Sequence, residues 1–206
     1  MTIKKWVIGN ADNPEKIKRF TIILGTGLRA LWKVTIAIGM LLTLSLIGVL
    51  LVPESWIKLP KFDYLDISLV FNGMIRYRIN HGFEFTQIKP ILVALIPVTI
   101  MGTFIITVIF FQTAKILKTV ESGNPFDERN SRRLMWIAVA LILGARVWNY
   151  VQGIAAKVTI ETLHIPNLFV SNTWDVPMLI SGMLMLILSG VFKYGTYLQK
   201  EYDSTL

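Results

Sequence analysis

Four long apolar segments, each bounded by charged or polar residues, dominate the pattern of this chain. A helix needs about 20 apolar residues to cross about 30 Å of hydrocarbon, with a lower limit near about 17. The segments reach that range, so we expect transmembrane helices at 34–52, 90–111, 134–156 and 176–192. The connecting segments are then 1–33, 53–89, 112–133, 157–175 and 193–206.

The segment before the first predicted span leaves two interpretations open. Asn13 and Pro14 are typical of a helix start, because Asn caps a helix and Pro fits its first position. Basic and apolar residues are mixed between positions 15 and 31. This stretch is therefore either an interfacial helix along the inner leaflet or an early beginning of the first transmembrane helix.

The distribution of basic residues predicts the orientation of the spans. Fourteen Lys and Arg lie on the side of both termini, whereas six lie on the opposite side. Cytoplasmic segments carry the excess of Lys and Arg, so we expect a multi-pass cell-membrane protein with its N- and C-termini in the cytoplasm. Trp32 and Trp136 at one boundary, and Trp56 and Trp174 at the other, agree with these spans. The net charge of +8 reflects this asymmetry, and we expect no direct nucleic-acid partner.

The segment between the first two spans alternates apolar and polar residues, which predicts a small antiparallel β-meander on the external side. Three strands are expected, at 65–70, 74–79 and 83–88. A three-residue loop ending in a left-handed Gly73 sets the first register, and a similar loop ending at Gly82 sets the second. The expected fold class is thus an all-α membrane protein of four transmembrane helices with an external β-meander.

In this register one face of the meander is apolar, and on the other face Arg78 lies between Asp66 and Glu84. A segment of about forty residues cannot close a core by itself, so the apolar face must cover something. It is either a cap over the helix ends and the loop 157–175 or a binding surface for an external ligand. The candidate residues of this face are Ile67, Tyr77, Ile79, Phe83 and Phe85.

Arg146 lies near the middle of the third predicted span, and no Asp or Glu within the spans would neutralise it. An arginine at the bilayer centre costs about 2.5–3.5 kcal/mol, so it normally faces the bundle interior or a water-filled cavity. It is either a fixed positive charge that receives an anionic group or a hydrogen-bonding hub for helix packing, and Asp175 is a candidate partner in both cases. The candidate intramembrane polar site comprises Arg146, Asn149, Gln152 and a stripe of threonines at every fourth residue, Thr99, Thr103 and Thr107.

Signatures of enzymes and cofactor sites are absent from the sequence. The only histidines, His81 and His164, fall in the predicted external loops without metal-ligand spacing, and the chain has no cysteine. We therefore expect no enzymatic activity and no catalytic, cofactor-binding or metal-binding residue.

Two short motifs resemble a known family. The first runs from Gly123 to Phe126 and continues with Asn130, Arg133, Leu134 and Ile137, and the second runs from Val191 to Gly195 and continues with Leu198 and Glu201. They resemble the YoaS-like family of uncharacterised four-helix bacterial membrane proteins. The resemblance implies four membrane helices and, in many members, a neighbouring gene for a small helix-turn-helix regulator, and it implies no catalytic residue.

These observations favour a non-enzymatic envelope protein that senses, binds or protects, in the manner of an immunity protein, together with a partner. The expected partners are membrane lipid and either a cytoplasmic helix-turn-helix regulator or another membrane protein. The alternative is a small transporter or channel component that uses Arg146 in an intramembrane cavity.

Overall fold

The computed structural model describes residues 14–53, 65–69, 75–79, 85–171 and 173–204. Within these residues the chain forms four long helices and one pair of strands. In chain order they are α1 (Pro14–Leu51), β1 (Leu65–Leu69), β2 (Ile75–Ile79), α2 (Phe85–Glu121), α3 (Glu128–Thr162) and α4 (Val176–Ser204).

The four helices are long and apolar enough to cross a membrane, which is consistent with a multi-pass membrane protein. The shortest, α4, has 29 residues. At a rise of about 1.5 Å per residue it extends about 43 Å, which exceeds the hydrocarbon thickness of about 30 Å. Each helix therefore has at least one end that lies beyond the hydrocarbon of a bilayer.

Helix α1 is continuous from Pro14 to Leu51. No break separates residues 14–33 from the predicted first span in this helix. Pro14 occupies the first helical position, where the missing N–H has no intrahelical partner to lose.

The predicted three-stranded meander is wrong. Helix α2 begins at Phe85, inside the segment 83–88 that was expected to be the third strand. A short alternating run fits both the strand and the helix period, and lengthening an existing helix adds one hydrogen bond per residue without a new nucleus. The described strands form a two-stranded antiparallel sheet in which Leu65 pairs with Ile79 and Leu69 with Ile75, the register that a three-residue loop ending at Gly73 requires.

The chain divides into two compact units. The first unit contains Met1–Ile38, Thr103–Arg146 and Asp175–Leu206, and the second contains Gly39–Gly102 and Val147–Trp174.

In the first unit, α3 and α4 approach each other closely at glycines. A Cβ atom on Gly182 would lie 2.7 Å from the Cγ1 atom of Ile142 and 3.0 Å from its backbone nitrogen. A Cβ atom on Gly144 would lie 2.6 Å from the Cε atom of Met178. Small residues at helix contacts let backbones pack tightly, which is how membrane helices gain dispersion energy when lipid is as apolar as their side chains.

A tight turn joins α2 to α3 in the same unit. Gly123 has a φ of 81°, its N–H donates to the carbonyl of Val120, and the N–H of Asn124 donates to the carbonyl of Thr119. This pattern of bonds is a Schellman C-cap, in which a left-handed glycine closes the helix. Asn124 and Pro125 have the composition of a helix start, but α3 begins three residues after Pro125, at Glu128.

In the second unit, hydrogen bonds join helices to neighbouring segments. The Oγ1 atoms of Thr43 on α1 and Thr99 on α2 lie 3.5 Å apart. The Nζ atom of Lys89 lies 3.4 Å from the carbonyl oxygen of Val52, and the side-chain amide of Asn149 donates to the carbonyl of Thr173 at 2.9 Å.

Candidate functional site at the α2–α3 turn

The structure places Arg146 beside the start of α4. The N–H of Asp175 donates to the carbonyl of Ala145 at 3.0 Å, so Arg146 lies at the level of the residue that precedes α4. Its side chain is exposed. Because α4 begins at this level, its apolar segment runs away from Arg146 in one direction along α3 and does not extend past Arg146 in the other. An arginine at the end of a neighbouring span reaches the interface at a lower cost than one at the bilayer centre.

The other members of the predicted polar set are divided between the two units. Thr103 and Thr107 belong to the first unit with Arg146, and both are half-buried. The Oγ1 atom of Thr107 is buried without a hydrogen-bond partner among the described residues.

Three members of the set belong to the second unit. The amide of Asn149 is engaged by the carbonyl of Thr173, and Gln152 is exposed. The Oγ1 atom of Thr99 donates to the carbonyl of Ile96 at 2.8 Å. These bonds are local helix and loop contacts, of the kind that stabilise backbone geometry.

The predicted external face is only partly described. Ile67 lies on β1, Tyr77 and Ile79 lie on β2, and Phe85 is the first residue of α2. Phe83 lies outside the described residues.

A buried asparagine organises the α2–α3 turn. Asn130 is fully buried, with 0% exposure. Its Nδ2 atom donates to the Oγ1 atom of Thr119 at 2.6 Å and to the carbonyl of Pro125 at 2.9 Å. Its Oδ1 atom accepts from the Nη1 atom of Arg133 at 2.9 Å. One side chain therefore binds the end of α2, the turn and the first turn of α3 together, as a buried polar group must to offset its desolvation.

Arg133 extends this network to α2. Its Nη1 atom also donates to the carbonyl of Lys115 at 2.8 Å. A hydrogen bond from a charged donor to a carbonyl is stronger than one from a neutral donor. Asn130 and Arg133 together fix the geometry between the two helices.

Asp127 caps α3. Its Oδ1 atom accepts the N–H of Arg129 at 2.8 Å, and its Oδ2 atom forms an ion pair with the guanidinium of Arg129 at 2.7 Å. The hydrogen bond from the Arg129 side chain is the main reason that the pKa of Asp127 is lowered from 3.8 to about 2. The carboxylate is therefore ionised at neutral pH and favours the positive end of the helix dipole.

Helix α4 docks onto the turn through its middle section. The Oγ1 atom of Thr196 donates to the carbonyl of Phe126 at 2.9 Å. The ring of Phe126 lies 5.6 Å from that of Phe192 and covers Gly195, where a Cβ atom would lie 2.6 Å from the ring. A larger side chain at position 195 would displace the ring from this contact.

Two further contacts join α3 to α4 beside the turn. Ser131 and Ser189 each donate a side-chain hydroxyl to the backbone carbonyl of the other, at 2.9 Å and 2.8 Å. The Nζ atom of Lys200 lies 3.0 Å from a carboxylate oxygen of Glu128, and both side chains are exposed. These bonds connect the first turn of α3 to α4 at Ser189 and at Lys200.

Two grooves open at this junction. The first, of about 480 Å³, lies beside the turn and is lined by Phe126, Asp127, Arg129 and Gln199 among others. The second, of about 440 Å³, lies between α3 and α4 and is lined by Arg132, Lys193 and Lys200 among others. The described residues contain no group of three or more His, Asp or Glu that could hold a metal ion.

One family model matches this chain over residues 55–206, and its description is "Protein of unknown function (DUF2975)". The chain belongs to the DUF2975 family. The region that matches DUF2975 includes the turn and all of α4 and begins after α1. No curated protein and no solved structure matches the chain.

In this DUF2975 protein, the two sequence motifs that carried the family resemblance lie against each other. Phe126 from the first motif contacts Phe192 and Gly195 from the second. In the sequence, Asn130 and Arg133 were recognised only as members of the first motif, and their hydrogen bonds to α2 were not predicted. The sequence analysis also missed three polar residues of α4 that lie seven and four positions apart and bond to α3 or to the turn before it. These residues are Ser189, Thr196 and Lys200.

Proposed function

We propose that this protein is a non-enzymatic membrane protein that binds a soluble protein partner through the extension of α4 at the α2–α3 turn. The observation that carries the proposal is an exposed stripe of aliphatic and tyrosine side chains that continues along α4 onto that extension. The excess of basic residues at this end favours a cytoplasmic position for it, and the partner would then be cytoplasmic.

The extension continues well beyond the apolar part of α4. The apolar segment ends at Phe192, and the helix continues to Ser204. Ten residues separate Phe192 from Tyr202, and at about 1.5 Å per residue they span about 15 Å. The headgroup layer on one side of a bilayer is only about 5–8 Å thick. Lipid therefore cannot cover the outer half of the extension.

The stripe consists of Val191, Tyr194, Leu198 and Tyr202, which recur at intervals of three and four residues and lie on one side of α4. Their exposed fractions range from 46% to 66%. An apolar helical face with this spacing is the surface that a partner helix covers in helix-to-helix recognition. Tyrosine also provides a large contact area with few rotatable bonds, which is why it is enriched in interfaces.

The anchoring of α4 supports the same function. Thr196, Gly195 and Lys200 hold the extension against the turn and α3. A helix already fixed in its bound orientation loses less conformational entropy on binding. We propose a soluble protein with an apolar helical face as the occupant, and the narrower resemblance to YoaS-like proteins favours a small helix-turn-helix regulator in that role.

The test compares two substitutions that change the charge equally at adjacent positions. Leu198 lies on the stripe, whereas Gln199 is exposed beside the first groove. A photo-crosslinking residue at position 202, in the outer half of the extension, first identifies the partner in cells, and the purified partner is then titrated against the full chain in nanodiscs. We expect Leu198→Asp to weaken binding at least about tenfold, since burying a charge in an apolar contact is costly, and Gln199→Asp to have little effect.

Two results would contradict the proposal. The first is an absence of protein adducts at position 202 after complete photolysis of the crosslinker. The second is an equal effect of Leu198→Asp and Gln199→Asp, which would indicate a general charge effect rather than a contact with the stripe.

A further inference from the structure

The groove between α3 and α4 is lined by an excess of positive charge. Its cations are Arg132, Lys193 and Lys200, and its described lining contains one carboxylate, Glu128. Glu128 is paired with Lys200 at 3.0 Å. The three cations and one carboxylate leave a net charge of +2, and Arg132 and Lys193 are both exposed. The groove is thus attractive to an anionic group.

Two features bear on the shape of the groove. Gly190 lines it, and a Cβ atom on this glycine would meet no atom within 4 Å, so the position leaves open space. Beside it, Ser131 and Ser189 are bonded to each other's carbonyls, which joins the two helices at this level. The cations therefore line a groove of about 440 Å³ between two helices that are bonded to each other.

An apolar surface continues from the groove along both helices. On α3, Met135 lines the groove, and the exposed Val139 and Leu143 follow it at intervals of four residues. On α4, the exposed Leu186 and Met183 follow Gly190 at intervals of four and three residues. Since residues at these intervals share a helix face, the apolar surface runs from the groove into the segment that the hydrocarbon of a membrane would surround.

We propose that this groove binds the phosphate of an anionic phospholipid headgroup, with the acyl chains lying on the adjacent apolar surface. Basic pockets between transmembrane helices bind such headgroups, because the phosphate meets fixed cations while the chains stay in hydrocarbon. A soluble phosphate would use the cations and leave the apolar surface uncovered. This site is separate from the stripe proposed to bind a protein, so either proposal can fail without the other.

The first experiment measures lipid retention by the full chain in detergent, using native mass spectrometry with phosphatidylglycerol and phosphatidylcholine at equal concentration. We expect a preference for phosphatidylglycerol. Each basic residue near an anionic lipid contributes about fivefold in affinity, so Arg132→Gln combined with Lys193→Gln should weaken phosphatidylglycerol binding about 25-fold. The control combines Arg19→Gln with Lys118→Gln, which removes the same charge from exposed positions in the same unit and should change binding less than about twofold.

A second variant tests the groove without changing any charge. Gly190→Leu adds a large side chain at an open position of the groove lining, and leucine has a higher helix propensity than glycine, so the helix itself is not weakened. We expect this variant to keep the wild-type thermal stability and to lose the preference for phosphatidylglycerol.

Several outcomes would overturn the proposal. Equal retention of the two lipids by the wild type would remove it, as would equal losses in the groove and control variants, which would indicate bulk charge. Full retention of phosphatidylglycerol by Gly190→Leu would show that the groove is not the site. Displacement of the lipid by millimolar inorganic phosphate would assign the groove to a soluble phosphate instead.

Discussion

Replacing Asn130 should separate the α2–α3 turn from both of its helices. Asn130→Leu has a similar side-chain size but removes two neutral hydrogen bonds, to Thr119 and Pro125, and one charge-assisted bond from Arg133. Each neutral bond contributes about 1 kcal/mol, and a bond to a charged group about 1.5–3 kcal/mol. Arg133 keeps its bond to the carbonyl of Lys115, and leucine regains some apolar contact, so we expect a net loss of about 2–4 kcal/mol.

The assay for this prediction is thermal unfolding of the full chain in detergent, followed by circular dichroism at a fixed scan rate. For a chain of this length, 1 kcal/mol corresponds to about 2–4 °C, so we expect the apparent Tm to fall by about 4–16 °C. The control is Asn124→Leu, the same change at an exposed position of the same turn, which should lower the apparent Tm by less than about 2 °C.

A double-mutant cycle with Thr119→Val tests the mechanism directly. If the bond from the Nδ2 atom of Asn130 to Thr119 stabilises the turn, the double variant should be more stable than the sum of the single losses predicts, by about 1 kcal/mol. Equal effects of Asn130→Leu and Asn124→Leu, or strict additivity with Thr119→Val, would refute the role assigned to Asn130.

Two further predictions concern packing and pH. Gly182→Ala should lower stability by about 1–3 kcal/mol, because the added Cβ atom would lie 3.0 Å from the backbone nitrogen of Ile142. The control is Gly190→Ala, whose Cβ atom would have no atom within 4 Å, and it should be neutral or slightly stabilising in the same thermal assay. Because the pKa of Asp127 is lowered from 3.8 to about 2, its contribution to stability is complete above its ordinary pKa and is lost as the pH falls from about 4 to about 2. Asp127→Asn keeps the capping oxygen but not the ion pair with Arg129. The apparent Tm of this variant should therefore fall less than that of the wild type over this pH range. Plots of apparent Tm against pH that run parallel for the two proteins would contradict the prediction.

The helices could be predicted from sequence because burial in hydrocarbon requires long apolar segments, and that length is visible locally. The segment 176–192 is an example, since it lies within α4. The third strand was predicted wrongly at 83–88, where six residues fit either period and the continuous helix from Phe85 prevails. The beginning of α3 is also not evident from composition. Asn124 and Pro125 are typical of a helix start, but the backbone turns there and Asp127 provides the capping oxygen.

Sequence by itself determined that this protein has four apolar segments long enough to span a membrane, an asymmetric distribution of basic residues, and two motifs typical of one family. Only the tertiary structure decided that Phe126 covers Gly195, that Ser131 and Ser189 exchange hydrogen bonds, and that cations from two helices surround one groove. The physical reason is distance along the chain. Hydropathy is a property of each segment alone, whereas these contacts join residues 58 to 70 positions apart, whose meeting depends on how the helices pack.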